Sequence, residues 1–240
     1  MKMKTILIYS FILLITFTKS SLAEDDFNTW QNTLAPLYLW GQSLDGTIND
    51  TVGLQIDFDE ALDDLNGVAT VHYEGAKGHW GIIADYSFVN IRPEGTAPGP
   101  AGVTVAVDMK NTIAEIGALY RFGPNNPLQL LGGVRRYDLD VDITIGPVTP
   151  VTIKKSFTDF FIGGRFQNQF GKKWSFLARA DVGTGDSDLV WNALVAFDYR
   201  FNNVLSGLIG YRAIDYDVDE DNFKYQMNQS GPALALVFHW

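Results

Sequence analysis

The sequence predicts an all-β protein, an antiparallel up-and-down transmembrane β-barrel of about ten strands. Three observations support this prediction: a secretory signal at the start, repeated runs of alternating apolar and polar residues, and an alternating run that ends on an aromatic residue. No stretch beyond the signal reaches the 18 or more apolar residues of a transmembrane helix. Export without a helical anchor, together with many amphipathic strands, favours a barrel in the bacterial outer membrane.

The first residues have the three-part layout of a secretory signal. Lys2 and Lys4 precede an apolar run from Ile6 to Phe17, and small residues follow up to Ala23. We therefore expect a signal peptide at 1–23 and one barrel domain at 24–240. Cysteine is absent from the sequence, which excludes a disulfide scaffold and acylation of an N-terminal cysteine.

The charge of the chain argues against nucleic acid as a partner. The full sequence carries a net charge of −10, and loss of the three lysines in residues 1–23 lowers it to −13. Phosphate backbones repel so acidic a protein. The high aromatic content suits a β-protein.

The last predicted strand alternates cleanly. Leu234, Leu236, Phe238 and Trp240 share one face, as a strand against lipid requires. Leu236, Phe238 and Trp240 resemble the C-terminal signature that the barrel-assembly machinery recognises in outer-membrane proteins. The alternative reading of this segment alone is the edge strand of an ordinary β-sandwich.

Alternation also sets the number of strands. Connections near 77–78, 123–127, 171–173 and 202–203 are short, and the connections between them are longer or richer in Gly, Pro and Asp, as in bacterial barrels with both termini in the periplasm. One short helix is expected near 59–65, and a possible strand at 47–58 leaves eight or twelve strands as alternatives to ten. The expected strands are 33–42, 67–77, 79–91, 103–122, 127–143, 156–170, 173–183, 190–201, 204–217 and 223–240.

Once the aromatic face of each strand is assigned to lipid, the intervening polar residues face the lumen. These residues balance in charge, and buried charges are tolerated only when they are paired. We therefore expect a lumen filled by ion pairs, with a small polar pore as the alternative. The predicted lumen charge network comprises Glu74, Asp85, Glu115, Arg121, Arg135, Asp159, Arg165, Arg179, Asp181, Asp198, Arg200 and Arg212, with His72 beside it.

Three acidic runs fall at the predicted outer ends of strands or in loops, at 57–64, 138–142 and 215–221. Carboxylates spaced in this way are compatible with divalent cations, which prefer oxygen ligands. The last run lacks the glycine and distal glutamate of an EF-hand. A merely solvated acidic rim explains the runs equally well, so no metal site is assigned.

The sequence offers no recognisable catalytic site. The three histidines, His72, His79 and His239, are not accompanied by a recognisable serine and carboxylate triad. Phosphate-binding loops, His-x-x-x-His pairs and G-x-S-x-G elbows do not occur. We expect no cofactor and no enzyme activity, with an envelope-lipid-modifying enzyme as a lesser alternative.

Several blocks, taken in order, resemble an uncharacterised family of Gram-negative outer-membrane β-barrel proteins. The resemblance spans nearly the whole chain after the signal and implies a barrel in the outer membrane, without any active-site residues to transfer. The pattern at 157–160 departs from the family, which tends toward Trp and Pro around the Asp. The blocks are Ala35–Trp40 with Asp45–Thr47, Gly133–Arg135, Gly163–Arg165, Arg179–Gly183, Gly210–Arg212 and the strand that begins at Gly231-Pro232.

These expectations combine into one functional hypothesis. The protein is an outer-membrane barrel with a structural or surface-interaction role, in contact with outer-membrane lipid and lipopolysaccharide. A narrow porin-like channel for small polar solutes is the alternative. The sequence does not name a ligand.

Overall fold

A computed structural model of the chain describes residues 27–48, 52–92, 94–96, 104–145, 151–220 and 223–240. The predicted signal segment lies outside the described residues. Strands dominate the described residues, which also contain a short helix. They are β1 (Gln31–Ala35), β2 (Tyr38–Trp40), β3 (Ser43–Ile48), β4 (Val52–Ile56), α1 (Phe58–Asp63), β5 (Leu65–Lys77), β6 (Trp80–Ile91), β7 (Glu94–Thr96), β8 (Thr104–Arg121), β9 (Leu128–Ile145), β10 (Val151–Phe170), β11 (Trp174–Gly185), β12 (Leu189–Arg200), β13 (Leu205–Glu220) and β14 (Phe223–His239).

The strands form a closed antiparallel barrel. From β5 to β14 each long strand pairs with the next, and β1 pairs with β5 on one side and with β14 on the other. β1, β2 and β3 follow one another along β14 as one interrupted strand, and β7 adds to the edge of β8 beyond β6. The wall therefore has ten strands, which confirms the prediction of an up-and-down barrel of about ten.

The path of the interrupted first strand shows whether the segment at 47–58 adds a strand to the barrel, a question that the sequence left open. Pro36 has no amide hydrogen to donate and lies at the break between β1 and β2. At this break the Thr70 hydroxyl on β5 accepts a hydrogen bond from the Tyr38 amide at 2.8 Å and donates one to the Tyr38 carbonyl. β4 pairs only with β3 among the described strands, so the segment at 47–58 adds no strand to the closed wall.

The predicted helix is present at Phe58–Asp63, close to the expected 59–65. Asp57 and Glu60 form a capping box at its start, which satisfies amide groups that a helix leaves unpaired. Within the described part of the chain, no helix is long and apolar enough to cross a membrane.

The two ends of the barrel differ. Tight turns join strands at one end, where Gly78 and Gly171 adopt positive φ angles of 60° and 68° that favour glycine. Phe27 and Trp240 also lie there, and Asn32 and Trp240 exchange two backbone hydrogen bonds. We call this the terminal end and the opposite one the loop end.

The outer wall carries an apolar band next to the terminal end, which we call the belt. In one row across four neighbouring strands the outward residues are Ala84, Ile116, Val134 and Phe160. On β12, for example, the outward apolar residues run from Trp191 to Tyr199, a span of about the 9–11 residues that a tilted strand needs to cross hydrocarbon. Large exposed members include Trp80, Ile82, Ile116, Leu130, Phe160, Ile162, Val182, Val195, Phe197, Ile209, Leu234, Leu236 and Phe238.

An aromatic girdle marks the terminal-end edge of the belt. Trp80 packs edge-on against Tyr120 at 5.0 Å between ring centroids, and Trp174 packs in the same way against Tyr199 at 4.8 Å. Trp240 is exposed on the same edge. Aromatic girdles of this kind line the interfaces of transmembrane barrels.

The belt ends toward the loop end, where the strands continue with polar outer faces. Two rows beyond Ala84 and Phe160, the outward residues are Phe88, Thr112, Asp138 and Ser156. The inner faces there are mostly apolar, with Asn111 and Gln229 hydrogen-bonded to each other among the apolar side chains. The barrel therefore has a lipid-compatible lower wall and an upper extension built like a water-soluble β-protein.

Candidate functional site

The centre of the barrel interior holds four charged side chains in direct contact. Arg135 donates to Glu115 at 2.8 Å and to Asp181 at 2.6 Å, and Arg179 approaches the same two carboxylates at 2.7 and 2.8 Å. All four side chains are at most 10% exposed. Two acids and two arginines cancel in charge, as burial requires. We call this group the central quartet.

Small residues on neighbouring strands make room for the quartet. A Cβ atom at Gly163 would lie 2.4 Å from the Asp181 Cβ, and one at Gly117 would lie 3.1 Å from the Phe161 ring. The Phe161 ring lies 4.9 Å from the Arg135 guanidinium and 5.4 Å from that of Arg179. Cation–π contact and carboxylate pairing together hold the arginines in place.

A second group lies nearer the terminal end. Arg165 makes two hydrogen bonds to Glu74, at 2.5 and 2.7 Å, and a third to Gln129 at 2.6 Å. Arg121 donates instead to the backbone carbonyl of Gly78 at 2.8 Å and to Gln31 at 2.6 Å. Arg121 thus fastens the turn between β5 and β6.

A third group surrounds Asp85. His72 lies 3.0 Å from one carboxylate oxygen and the Tyr38 hydroxyl donates to the other at 2.8 Å, while Arg212 approaches to 3.7 Å. Arg212 also donates to Asn192 at 3.0 Å and stacks on the Trp40 ring at 4.7 Å. This group connects the interrupted first strand to β5, β6 and β13.

The structure brings eight of the twelve predicted lumen charges into these ion pairs. Of the other four, Arg121 holds the turn described above. Asp159 lies opposite Arg135 in the strand register, yet it accepts two bonds of 2.8 Å from the amide and hydroxyl of Ser187. Asp198 accepts from Ser206 at 2.5 Å, and Arg200 lies 3.3 Å from a ring nitrogen of His239.

Ser206, His239 and Asp198 lie together, but their order is not that of a catalytic triad. The serine lies between the other two, at 2.7 Å from Nε2 of His239 and 2.5 Å from Asp198. Because its proton is directed to the carboxylate, Nε2 acts as the donor, and Nδ1 accepts from Arg200. The imidazole is therefore not arranged to remove a proton from the serine.

An aromatic layer fills the interior toward the loop end, and the lumen prediction did not include it. The Tyr137 hydroxyl lies 2.7 Å from that of Tyr225, and Gln229 donates to it at 2.9 Å. Tyr216 packs on the Tyr137 ring at 4.5 Å, and Phe157 lies 6.0 Å from Tyr225. These four rings are completely buried. The described interior thus holds a charged layer nearer the terminal end and an aromatic layer nearer the loop end.

A signal for this layer is present in the sequence. Tyr137, Leu139 and Val141 share the face of Arg135, and they alternate with the aspartates of the run at 138–142. The run therefore places apolar residues inside and carboxylates outside, as in a strand with a solvated outer face.

The described residues of the other acidic runs also lie along strands or at the helix, and Asp221 lies outside the described residues. Asp217 accepts a hydrogen bond from Gln226 at 3.1 Å, and Asp219 pairs with Lys224 at 3.3 Å. Within the described ranges, no three His, Asp or Glu residues are grouped so that they could hold a metal ion.

No protein-family model matches the chain, and no curated protein matches it. Among solved structures it is similar to the translocator domain of the autotransporter NalP from Neisseria meningitidis, at 13% identity and a TM-score of 0.44, with 90% of this chain and 91% of that chain covered. It is also similar to the CymD monoaromatic hydrocarbon channel (9%, TM-score 0.34, 88% and 66% covered) and to the P. putida toluene transporter TodX (10%, 0.29, 88% and 89%). Similarity at this level does not carry function between proteins. The strand pairing of this chain itself shows that the fold is a closed antiparallel barrel.

Proposed function

We propose that the protein is an integral outer-membrane β-barrel with a filled interior and a structural or surface-interaction role. The belt is the observation that supports a membrane location. It consists of contiguous exposed apolar side chains around the wall, far more than a water-soluble surface presents in one patch. On this proposal the terminal end faces the periplasm and the polar extension faces the exterior, where lipopolysaccharide and other molecules would meet it.

The two interior layers support a role without transport. Arg165 on β10 pairs with Glu74 on β5, and Arg212 on β13 approaches Asp85 on β6, so these ion pairs cross the lumen. Toward the loop end, the Tyr137 and Tyr225 hydroxyls join β9 to β14 across the lumen. A solute moving along the axis would have to break both sets of contacts.

Fractionation of cells together with gel mobility tests the membrane assignment. Transmembrane barrels keep their fold in cold detergent and migrate differently after boiling, so we expect heat-modifiable mobility and recovery in the outer-membrane fraction. Recovery in the soluble periplasm would overturn the assignment.

A narrow channel for small polar solutes is the second candidate. The polar wall of the terminal half favours it, because Gln31, Arg121 and Gln129 line that end with hydrogen-bonding groups. Conductance in planar bilayers separates the two candidates. A filled barrel shows no stable open level, whereas a reproducible ohmic conductance would establish the channel and refute the filled barrel.

A further inference from the structure

The outer wall of the extension contains a cleft on β8, β9 and β10, with a volume of about 340 Å³. We call it the basic cleft. Its walls combine lysines, carboxylates and hydroxyl groups, with one aromatic ring contributed by β6. The lining residues are Phe88, Lys110, Thr112, Asp138, Leu139, Asp140, Lys154, Lys155 and Ser156.

Strand register places the cleft on the loop-end side of the belt. The row of Phe88, Thr112, Asp138 and Ser156 lies four residues per strand beyond the belt row that contains Phe160. Four residues along a tilted strand correspond to about 10 Å of depth. In an outer membrane with the belt in hydrocarbon, the cleft lies at the depth of lipid headgroups.

The basic groups on this face project farther into solvent than the acids that pair with them. Lys154 donates to Asp140 at 2.8 Å, and this hydrogen bond raises the pKa of the Lys154 ammonium and keeps it charged. An approaching anion would thus meet cations first and carboxylates behind them. The exposed fractions, cation before acid, are 68% and 29% for Lys154–Asp140, 52% and 40% for Arg136–Asp138, 52% and 24% for Arg92–Asp108, and 36% and 24% for Lys110–Asp108.

The other side of the extension has the opposite arrangement. On β13 and β14, Asp219 is 59% exposed and its partner Lys224 is 48% exposed. Asp215 and Asp217 on the same strand pair with the neutral side chains Asn228 and Gln226. The outward basic character is therefore a local feature of β8 to β10 and not of the extension as a whole.

We propose that the basic cleft binds the phosphorylated sugar headgroup of an outer-leaflet glycolipid. Lys110 and Lys154 contact the phosphate, and the hydroxyls of Thr112 and Ser156 face the sugar. Phe88 provides an apolar surface at the β6 side of the cleft. The proposal deepens the proposed outer-membrane function and depends on it.

Native mass spectrometry of the folded barrel in detergent tests this binding. The probes are bis-phosphorylated lipid A, the same lipid after removal of both phosphates, and inorganic phosphate. We expect the phosphorylated lipid to be retained and the dephosphorylated lipid to bind at least about fivefold more weakly, since each exposed charge contact contributes up to roughly 1 kcal/mol. Equal retention of both lipids would refute a phosphate site.

Charge-neutralising variants locate the binding. The double variant Lys110→Gln/Lys154→Gln should bind the phosphorylated lipid about five- to tenfold more weakly, while Lys224→Gln on β14 should bind like the wild type. Unchanged binding by the double variant, or equal loss in Lys224→Gln, would refute the cleft as the site. Heat-modifiable mobility shows that each variant is folded.

Inorganic phosphate distinguishes a lipid headgroup from a free anion. Added at millimolar concentration, it should leave the bound lipid in place, because a headgroup also contacts the hydroxyls and the belt edge. Full displacement by phosphate would overturn the glycolipid assignment. A barrel that is found in the outer membrane but fails these tests refutes the cleft alone, whereas a periplasmic protein refutes the proposed function itself.

Discussion

Replacement of Arg135 by methionine should destabilise the barrel strongly, because it breaks the central quartet without changing side-chain volume much. Arg135 makes hydrogen bonds of 3.1 and 2.8 Å to Glu115 and one of 2.6 Å to Asp181, and its side chain is fully buried. Without it, the two carboxylates share Arg179 alone, and one net negative charge is left in the interior. Loss of one partner from a buried ion pair costs about 3–5 kcal/mol.

A second substitution should recover much of the stability that Arg135→Met loses. In Arg135→Met/Glu115→Gln the remaining pair, Arg179 with Asp181, is again neutral, so we expect recovery of about 2 kcal/mol relative to Arg135→Met. The matched control is Arg136→Met, the next residue on the same strand, which points outward and is 52% exposed beside Asp138. An exposed pair of this kind contributes at most about 1 kcal/mol.

Reversible urea unfolding of the barrel in lipid vesicles, followed by tryptophan fluorescence and by gel mobility, measures these differences. A loss below about 1 kcal/mol for Arg135→Met would contradict the role of the quartet. So would a double variant that is no more stable than Arg135→Met.

Two further substitutions test the interior with matched controls. In Gly163→Ala the new methyl group would lie 2.3 Å from a backbone oxygen of β11, so we expect a loss of about 1–3 kcal/mol in the free energy of unfolding. In the control, Gly164→Ala, the nearest atom lies 3.9 Å away, so this variant should be tolerated. Equal unfolding midpoints for the two variants would contradict the packing described. Tyr225→Phe removes a buried hydrogen bond and should lower the free energy of unfolding by about 1 kcal/mol. Tyr216→Phe removes a hydroxyl with no hydrogen-bond partner in the described part of the chain, so it should be neutral or stabilising. The reverse ranking in urea unfolding would refute the hydrogen-bonded aromatic layer.

Much of the fold follows from alternation, because a β-strand exposes every second residue on the same face. Ile116 and Phe160 are apolar and outward, and Glu115 and Arg135 are charged and inward, as that rule requires. The number of strands follows from the same alternation combined with turn lengths. These are local properties, and sequence reasoning recovers them.

The end of the belt is harder to predict from the sequence. On β9 the strand keeps its phase from Arg135 to Val141, but the inner face changes from charged to apolar and the outer face changes from apolar to acidic. Alternation alone cannot distinguish this exchange of environments from a shift of one residue. The distinction depends on partners distant in sequence, such as Tyr225, which lies 88 positions from Tyr137.

Alternation also does not predict which side chains pair with each other inside the lumen. Asp159 was predicted to join an ion pair, but it accepts hydrogen bonds from Ser187 instead. Ser187 reaches it because only residues 186–188 separate β11 from β12, a shorter connection than the Gly- and Asp-rich sequence indicated. The path of the first strand past Pro36 likewise depends on the Thr70 side chain, which the sequence does not reveal as a backbone partner.

Single cysteines along β10 test most directly the central claim that the wall changes from lipid-facing to water-facing there. The natural chain has no cysteine, so each introduced thiol is the sole target. With the folded barrel in vesicles and a membrane-impermeant maleimide on both sides, we predict rapid labelling of Ser156→Cys and little labelling of Phe160→Cys and Ile162→Cys. All three should label fully after denaturation. Labelling of Phe160→Cys as fast as that of Ser156→Cys would contradict the account.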